Sequence, residues 1–303
     1  MYFKSVYSQK LSEARIKVIF RQARFGVKTT CPKCHSRKIS YLKNDYYRCR
    51  KCWYKFGLIT GTHLARLKIP LRFWYEIVWC FVLQFSAFKT KKLLKVKNYE
   101  RCFKAYQIIR EAILTDSRER FLKSKGTFEV DESFYGGQFK NLCKETRFKY
   151  RKEGKAKRGR GAKYRKQPVF GIYKRDGEVY LEPIPDCDAP ILETIIKKKI
   201  NSGSKIFSDT WKGYQGLVGL GYAHSKVNHK NEEFVSGKVH INGMEGFWGL
   251  SKTNMHVYKG IRKENWIYYL KEMEFRYNNR KLDFDDLVIE LLIVLSQDFR
   301  RKG

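Results

Sequence analysis

The sequence predicts an α/β chain in which a mixed sheet flanked by helices follows a small cysteine-bearing unit and a helical region. Three observations carry this reading. Strand-like runs cluster after residue 126, in FEVDESF, in the two halves of PVFGIYKRDGEVYLEPI and in KIFSD, with one amphipathic helix among them and helical patterns beyond about residue 240. Two Cys-x-x-Cys pairs fall within residues 31–57. The chain's 303 residues also exceed one ordinary domain of about 150 residues. With 43% hydrophobic and 16% aromatic residues, the composition is that of a folded protein.

Residues 1–60 form the N-terminal segment, and 31–57 within it are too few to bury a core with their own side chains. Cys31-x-x-Cys34, 14 intervening residues and Cys49-x-x-Cys52 offer four thiolates. Two such knuckles facing each other across a hairpin complete a tetrahedral site for one structural Zn²⁺. Four unrelated core cysteines are the alternative, and the paired spacing argues against them. His35 stays outside the ligand set because four sulfurs already fill it. The scattered Cys80, Cys102, Cys143 and Cys187 read as buried thiols of a reducing, intracellular compartment. No apolar signal-like run opens the chain. The stretch from Phe73 to Phe88 is interrupted by Glu76 and Gln84 and is shorter than the roughly 20 residues of a membrane span, so no membrane partner is expected.

Residues 61–120 read as helical. A buried helix covers Pro70 to Phe88, then KTKKLLKVKN and YERCFKAYQIIREAIL follow with a turn around Val96 to Tyr99, which is helix-turn-helix spacing. The last of these helices would enter a DNA groove, with Arg101, Lys104 and Arg110 available to phosphates or bases. Residues 121–303 carry the sheet. Arg175-Asp176-Gly177 marks a hairpin, ILETIIKKKI a helix, and further helices cover His240 to Lys252, Lys263 to Arg280 and about Asp285 to Phe299. Residues 140–166 hold 13 Lys and Arg against Glu145 and Glu153, and glycines loosen the segment, so it reads as a mobile basic loop. The whole chain has 64 Lys+Arg against 30 Asp+Glu, a net charge of +34 that internal ion pairs cannot absorb. Such a surface attracts polyanions, nucleic acid first, with an anionic membrane surface as the rival.

Carboxylates supply the candidate chemistry. Metal-dependent phosphodiester cleavage needs acids from separate elements converging on one point, so the acids should be scattered in sequence. Asp131 ends the first strand, Asp209 follows KIF, and Glu245 lies in the first helix after the sheet, with 35 residues between it and Asp209. Any one of them alone is better explained as a surface or capping residue. Lys252, two helical turns after Glu245, can reach a phosphate.

The series VDESFYGG, KRGRGA, VFGIYKRDGEVY, FSDTWKGY, NH, HINGMEGFWGLSK, KGI and LKEMEFRYNNR runs in that order from about 126 to 280. It resembles the acidic-triad insertion-sequence transposases of bacteria and their eukaryotic relatives, the Merlin elements, in which a zinc ribbon and helix-turn-helix precede the catalytic region. The resemblance implies a ribonuclease-H-like core with Asp131, Asp209 and Glu245 as catalytic acids and ligands of two Mg²⁺, for which Mn²⁺ can substitute. Asn242 is the alternative to Glu245 as third residue. It further implies double-stranded DNA, as transposon ends and target, for a partner, with Lys252 and the loop residues Arg158, Arg160 and Lys163 contacting it. A homodimer or higher assembly on DNA is expected, and no small-molecule substrate. The working compartment would be the nucleoid of a prokaryote or the nucleus of a eukaryote. Trp211 and Trp248 are expected to pack beneath the acids. Two other readings share these features: a domesticated DNA-binding regulator without catalysis, and a structure-selective nuclease on the same fold.

Overall fold

The computed structural model describes residues 11–43, 45–120, 124–137, 139–156, 166–175, 177–227, 241–258 and 260–298. They divide into two compact units, Met1–Asp116 with Asn279–Gly303, and Ser117–Asn278.

The first unit opens with helix α1 (Glu13–Phe25), whose N-cap Ser12 hydroxyl accepts the Arg15 N–H at 3.2 Å. Three short antiparallel strands follow, β1 (Ile39–Leu42), β2 (Tyr46–Cys49) and β3 (Lys55–Gly57). Their inner face gathers Cys31, Cys49 and Phe56 with Phe25, Ile39 and Tyr47, a cluster small enough to need further support. Part of that support comes from α1, where the Arg24 guanidinium donates to the carbonyls of Gly57, Leu58 and Thr60.

Helix α2 (Leu71–Val82) stops short of the predicted Phe88. Gln84 takes a left-handed φ of 59°, and the Ser86 hydroxyl then caps a separate helix α3 (Ala87–Leu93) by accepting the Lys89 N–H at 3.2 Å. After the turn comes α4 (Tyr99–Arg120), longer than the predicted run. It buries Cys102, Ala105, Tyr106, Ile109, Ala112 and Ile113, a helical stripe.

The second unit is a five-stranded sheet built from β4 (Thr127–Tyr135), β5 (Gln167–Lys174), β6 (Val179–Pro183), β7 (Lys205–Asp209) and β8 (Ala223–Val227). The spatial order is β6-β5-β4-β7-β8. Strand β5 is antiparallel to both its neighbours, whereas β7 runs parallel to β4 and β8 parallel to β7. Helix α5 (Lys144–Lys152) lies between β4 and β5, α6 (Ala189–Lys199) between β6 and β7, and α7 (Asn242–Met255) and α8 (Trp266–Asn278) follow the sheet. One sheet face packs Phe128, Val130, Phe170 and Ile206 against Leu192, Ile195 and Ile196 of α6. The other packs Tyr135, Val169 and Leu181 against Met244, Phe247 and Trp248 of α7 and Leu270 and Met273 of α8. The result is a three-layer α/β/α arrangement.

Strand β6 is an edge, and α8 satisfies its outward backbone groups. The Asn278 side chain accepts the Val179 N–H at 2.8 Å and donates to its carbonyl at 2.9 Å, while Glu274 accepts the Leu181 N–H at 2.8 Å. Lys271, buried, ion-pairs with Glu274 at 2.6 Å and lies 3.9 Å from the Tyr180 ring centroid.

Four features depart from the sequence reading. Strand β8 was not anticipated, since AHSKV carries little apolar alternation. The first half of the basic loop is helical as α5, which has no buried residue. Cys143, expected buried, is exposed immediately before that helix. The last helix, α9 (Phe284–Ser296), packs on α1 and α2 and so clusters with the first unit, although the sequence grouped it with residues 121–303.

Candidate active site and zinc centre

The four cysteines of the ribbon converge. All four sulfurs lie within 4.8 Å of one another, with Cys31 and Cys52 Sγ at 3.6 Å and Cys34 and Cys49 Sγ at 3.5 Å. Tetrahedral Zn–S bonds of about 2.3 Å require S···S separations of roughly 3.8 Å, so this donor set fits zinc. Each knuckle is an equivalent turn: the His35 N–H donates to the Cys31 carbonyl at 2.9 Å and the Trp53 N–H to that of Cys49 at 3.0 Å. Both His35 and Trp53 therefore adopt left-handed φ, 57° and 58°. Burial pushes the Cys49 thiol up, but the N–H groups of Cys52 and Lys51 and the Cys34 and Cys52 thiols outweigh it and hold Cys49 down at about 6.

On the sheet, the last paired positions of parallel β4 and β7 are Glu129 and Phe207. Asp131 and Asp209 each lie two residues further on, so they share one face at the same end of adjacent strands. Asp131 is thus inside β4, paired with Gly171, rather than at its end. Its Oδ2 accepts the Trp248 Nε1–H at 3.0 Å. Burial, then the charges of Glu132 and Asp209, raise its carboxyl to about 7. The Asp209 Oδ1 accepts the Trp211 N–H at 3.0 Å. Behind Asp209, Ser208 Oγ and His224 Nε2 are 2.8 Å apart, and burial lowers the His224 pKa, so that imidazole is a neutral packing group.

Helix α7 comes unusually close to β5. A Cβ on Gly171 would lie 2.4 Å from Met244 Cε and 2.6 Å from Trp248 Cζ2, and one on Gly243 would lie 2.2 Å from the Tyr173 ring. Glu129, fully buried, fixes the start of that helix by accepting the Met244 N–H at 3.0 Å while pairing with Arg175 Nε at 2.9 Å. At about 100° per residue, Lys252 projects about 20° from Glu245 around the helix and Trp248 about 60°. Lys252 feels the charge of Asp131, which raises its pKa against a larger lowering by burial.

A family model described as the ISXO2-like transposase domain matches residues 123–278, and one for the transposase zinc-ribbon domain matches residues 11–55. The chain belongs to the ISXO2-like transposases. A protein of Haemophilus influenzae described as transposase-like is 30% identical over 116 residues, 38% of this chain and 94% of the relative. A protein of the transposable element ISH50 of Halobacterium salinarum is 23% identical over 273 residues, 88% of this chain and 91% of that one. The ribbon match begins at residue 11, so α1, which the sequence reading left outside any motif, is part of the ribbon unit of this transposase.

In this ISXO2-like transposase, Asp131 and Asp209 are brought together on one sheet face, while Glu245 and Asn242 are exposed on the first turn of α7. The four cysteines are the sole set of three or more Cys, His, Asp or Glu ligands converging within 4.8 Å among the described residues, so the three acids do not meet at ligand distance. Arg110 departs from its expected role. It is buried, with its guanidinium 5.6 Å from the Phe81 ring centroid and 5.8 Å from that of Tyr106, and a cation packed against aromatics in the interior is withdrawn from DNA. Arg101 and Lys104 are exposed, Lys104 pairing with Glu100 at 2.9 Å. Arg158, Arg160 and Lys163 lie outside the described residues. Trp248 packs as expected and also hydrogen-bonds the first acid. Glu129 and the buried Tyr214, which donates to Glu132, were not singled out from sequence. The signal for Glu129 was its place two residues before Asp131 on the same strand face.

No helix among the described residues is long and apolar enough to cross a membrane.

Proposed function

We propose that this transposase binds the terminal inverted repeats of its element and catalyses divalent-metal-dependent cleavage of the DNA ends and their transfer into target DNA. The observation that carries the reading is the pair of carboxylates on one face of parallel β4 and β7, each two residues past the last paired position of the two strands, with Asp131 raised to about 7 by burial and neighbouring acids. A crowded, partly desolvated acid pair of this kind gains most from a cation between its members. The sheet order, third-second-first-fourth-fifth strand with the second antiparallel, supports a ribonuclease-H-like core.

Asp131 and Asp209 would hold Mg²⁺, with Glu245 joining from α7. Lys252 favours Glu245 over Asn242, which projects about 80° from Lys252 around the helix compared with about 20° for Glu245. The ions would supply activation of the attacking oxygen, first of water and then of the freed 3′-hydroxyl, and stabilisation of the leaving oxygen. Trp248 orients the Asp131 carboxylate through its indole N–H. Lys252, exposed beside Asp131, would attract the scissile strand's phosphates, with the segment around α5 contacting the flanking duplex. Dimerisation on paired ends and an intracellular site of action on chromosomal DNA complete the reading.

The test joins a 3′-hydroxyl end bearing the element's own terminal repeat into a plasmid, with Mg²⁺ or Mn²⁺. The parent chain should join ends, and Asp209→Ala should bind the same DNA but neither nick nor join. Nicking without joining would make the protein a nuclease, and binding without either would make it a regulator.

A further inference from the structure

Between the two cysteine knuckles lies an open cleft of about 550 Å³ lined by Cys34, His35, Ser36, Lys38, Arg50 and Lys51. Lys38, Arg50 and Lys51 are exposed. Residues 11–57 contain only two acids, and each is engaged elsewhere: Asp45 with Lys17 at 2.6 Å and Glu13 with Arg72. The cleft therefore concentrates positive charge that its own unit leaves unneutralised.

Its walls are braced. Arg50 Nε donates to Ser40 Oγ at 2.6 Å, the Arg50 N–H to the Lys38 carbonyl at 2.8 Å, and the Lys38 N–H to Ser36 Oγ at 3.1 Å. Both walls also run directly from zinc ligands. His35 and Ser36 follow Cys34, and Arg50 and Lys51 lie between Cys49 and Cys52, with the Lys51 N–H donating to Cys49 Sγ at 3.3 Å. The basic surface continues along the sheet, because Arg48, exposed on β2, stands opposite the exposed Lys55 of β3 in register.

We propose that this knuckle cleft seats a backbone phosphate of duplex DNA, gripped by Lys38, Arg50 and Lys51, and that the zinc ion holds its two walls at the right separation. The inference rests on the DNA-binding reading above and assigns that unit a particular role. Lysine and arginine around one concave seat recognise phosphate charge and carry no base information, so the ribbon positions the duplex and sequence is read elsewhere. Phosphate contacts of this kind set the salt dependence of binding, with log affinity falling against log salt by about 0.9 for each phosphate neutralised on duplex DNA.

The experiment uses the full-length, zinc-loaded chain and a labelled random-sequence duplex, with affinity measured across a salt series. Lys38→Gln/Lys51→Gln, which leaves the structural bonds of Arg50 in place, should flatten the salt slope by about 1 and lower affinity about equally on random and terminal-repeat DNA. Arg50→Gln is the second variant and should act in the same direction. Zinc content near one per chain shows that the ribbon is intact in each. Lys33→Gln/Arg37→Gln, two exposed ribbon cations outside the cleft, is the comparison and should leave the slope nearly unchanged. An unchanged slope in the cleft variants, or an equal loss in the comparison variant, overturns the seat while leaving DNA binding by the transposase standing. A parent chain that fails to bind DNA at low salt overturns both.

Discussion

Burial, ahead of any neighbouring charge, lifts the Asp131 carboxyl from 3.8 to about 7, and its sign makes a prediction at the scale of one residue. Because the folded value exceeds the unfolded one, the cost of ionising Asp131 is absent below about pH 4 and complete above about pH 7, so stability is lost as pH rises through that window. That rise from 3.8 to about 7 corresponds to roughly 4 kcal/mol at most. In magnesium-free buffer, Asp131→Asn should therefore melt well above the parent at pH 8 and close to it at pH 4.5. An equal gap at both pH values would refute the assignment. Mg²⁺ affinity should correspondingly rise from pH 6 to pH 8, because the cation must displace this proton. Gly171 is the second residue whose identity matters. A methyl group there collides with Met244 and Trp248, so Gly171→Ala should cost about 1–3 kcal/mol in denaturant titration and reduce nicking more than DNA binding, since the displaced indole is the donor to Asp131. Sequence reading put Asp131, Asp209 and Glu245 forward as candidates by motif. It missed Glu129 because a buried carboxylate looks like any other acid until its partners, a helix N–H and Arg175, are in place.

At the scale of elements, α7 is the piece whose placement the site depends on, and Glu129 latches it. Glu129→Ala leaves a helix-start N–H and the partly buried Arg175, whose guanidinium lies 4.2 Å from the Phe207 ring centroid, without their carboxylate. Removing one partner of such a pair costs about 3–5 kcal/mol. Chemical denaturation should show that loss, with Glu129→Gln losing less because an amide oxygen still accepts the N–H. The long sheet strands and α6 were legible because their apolar residues recur with the right period. The break between α2 and α3 was not, since apolar residues flank Gln84 on both sides and only the serine cap and a left-handed turn end one helix and start the next. Nor was α5, whose nine residues bury nothing and so leave no periodic trace. Strand β8 escaped for the opposite reason: AHSKV takes its strand state from pairing with β7, not from its own pattern.

At the scale of the whole molecule, two units depend on different things. The ribbon unit has so small an apolar cluster that metal ligation must contribute to its folding, whereas the five-stranded unit buries two full sheet faces. Adding a strong chelator should make the four ribbon thiols reactive and lower DNA affinity while the far-ultraviolet signal of the sheet persists. Thiols that stay protected would show that the ribbon folds without zinc. By itself the sequence determined what pattern and charge can encode: a basic chain, four cysteines at knuckle spacing, strands before helices, and the ordered motifs that carry its family resemblance. Tertiary structure decided what depends on residues far apart in the chain. It set Asp131 beside Asp209 by pairing β4 with β7, withdrew Arg110 into the interior against two rings, and carried α9 back to pack on α1 and α2. The physical reason is that periodicity records which face of an element is buried, while the identity of the surface that buries it is settled only when the elements pack.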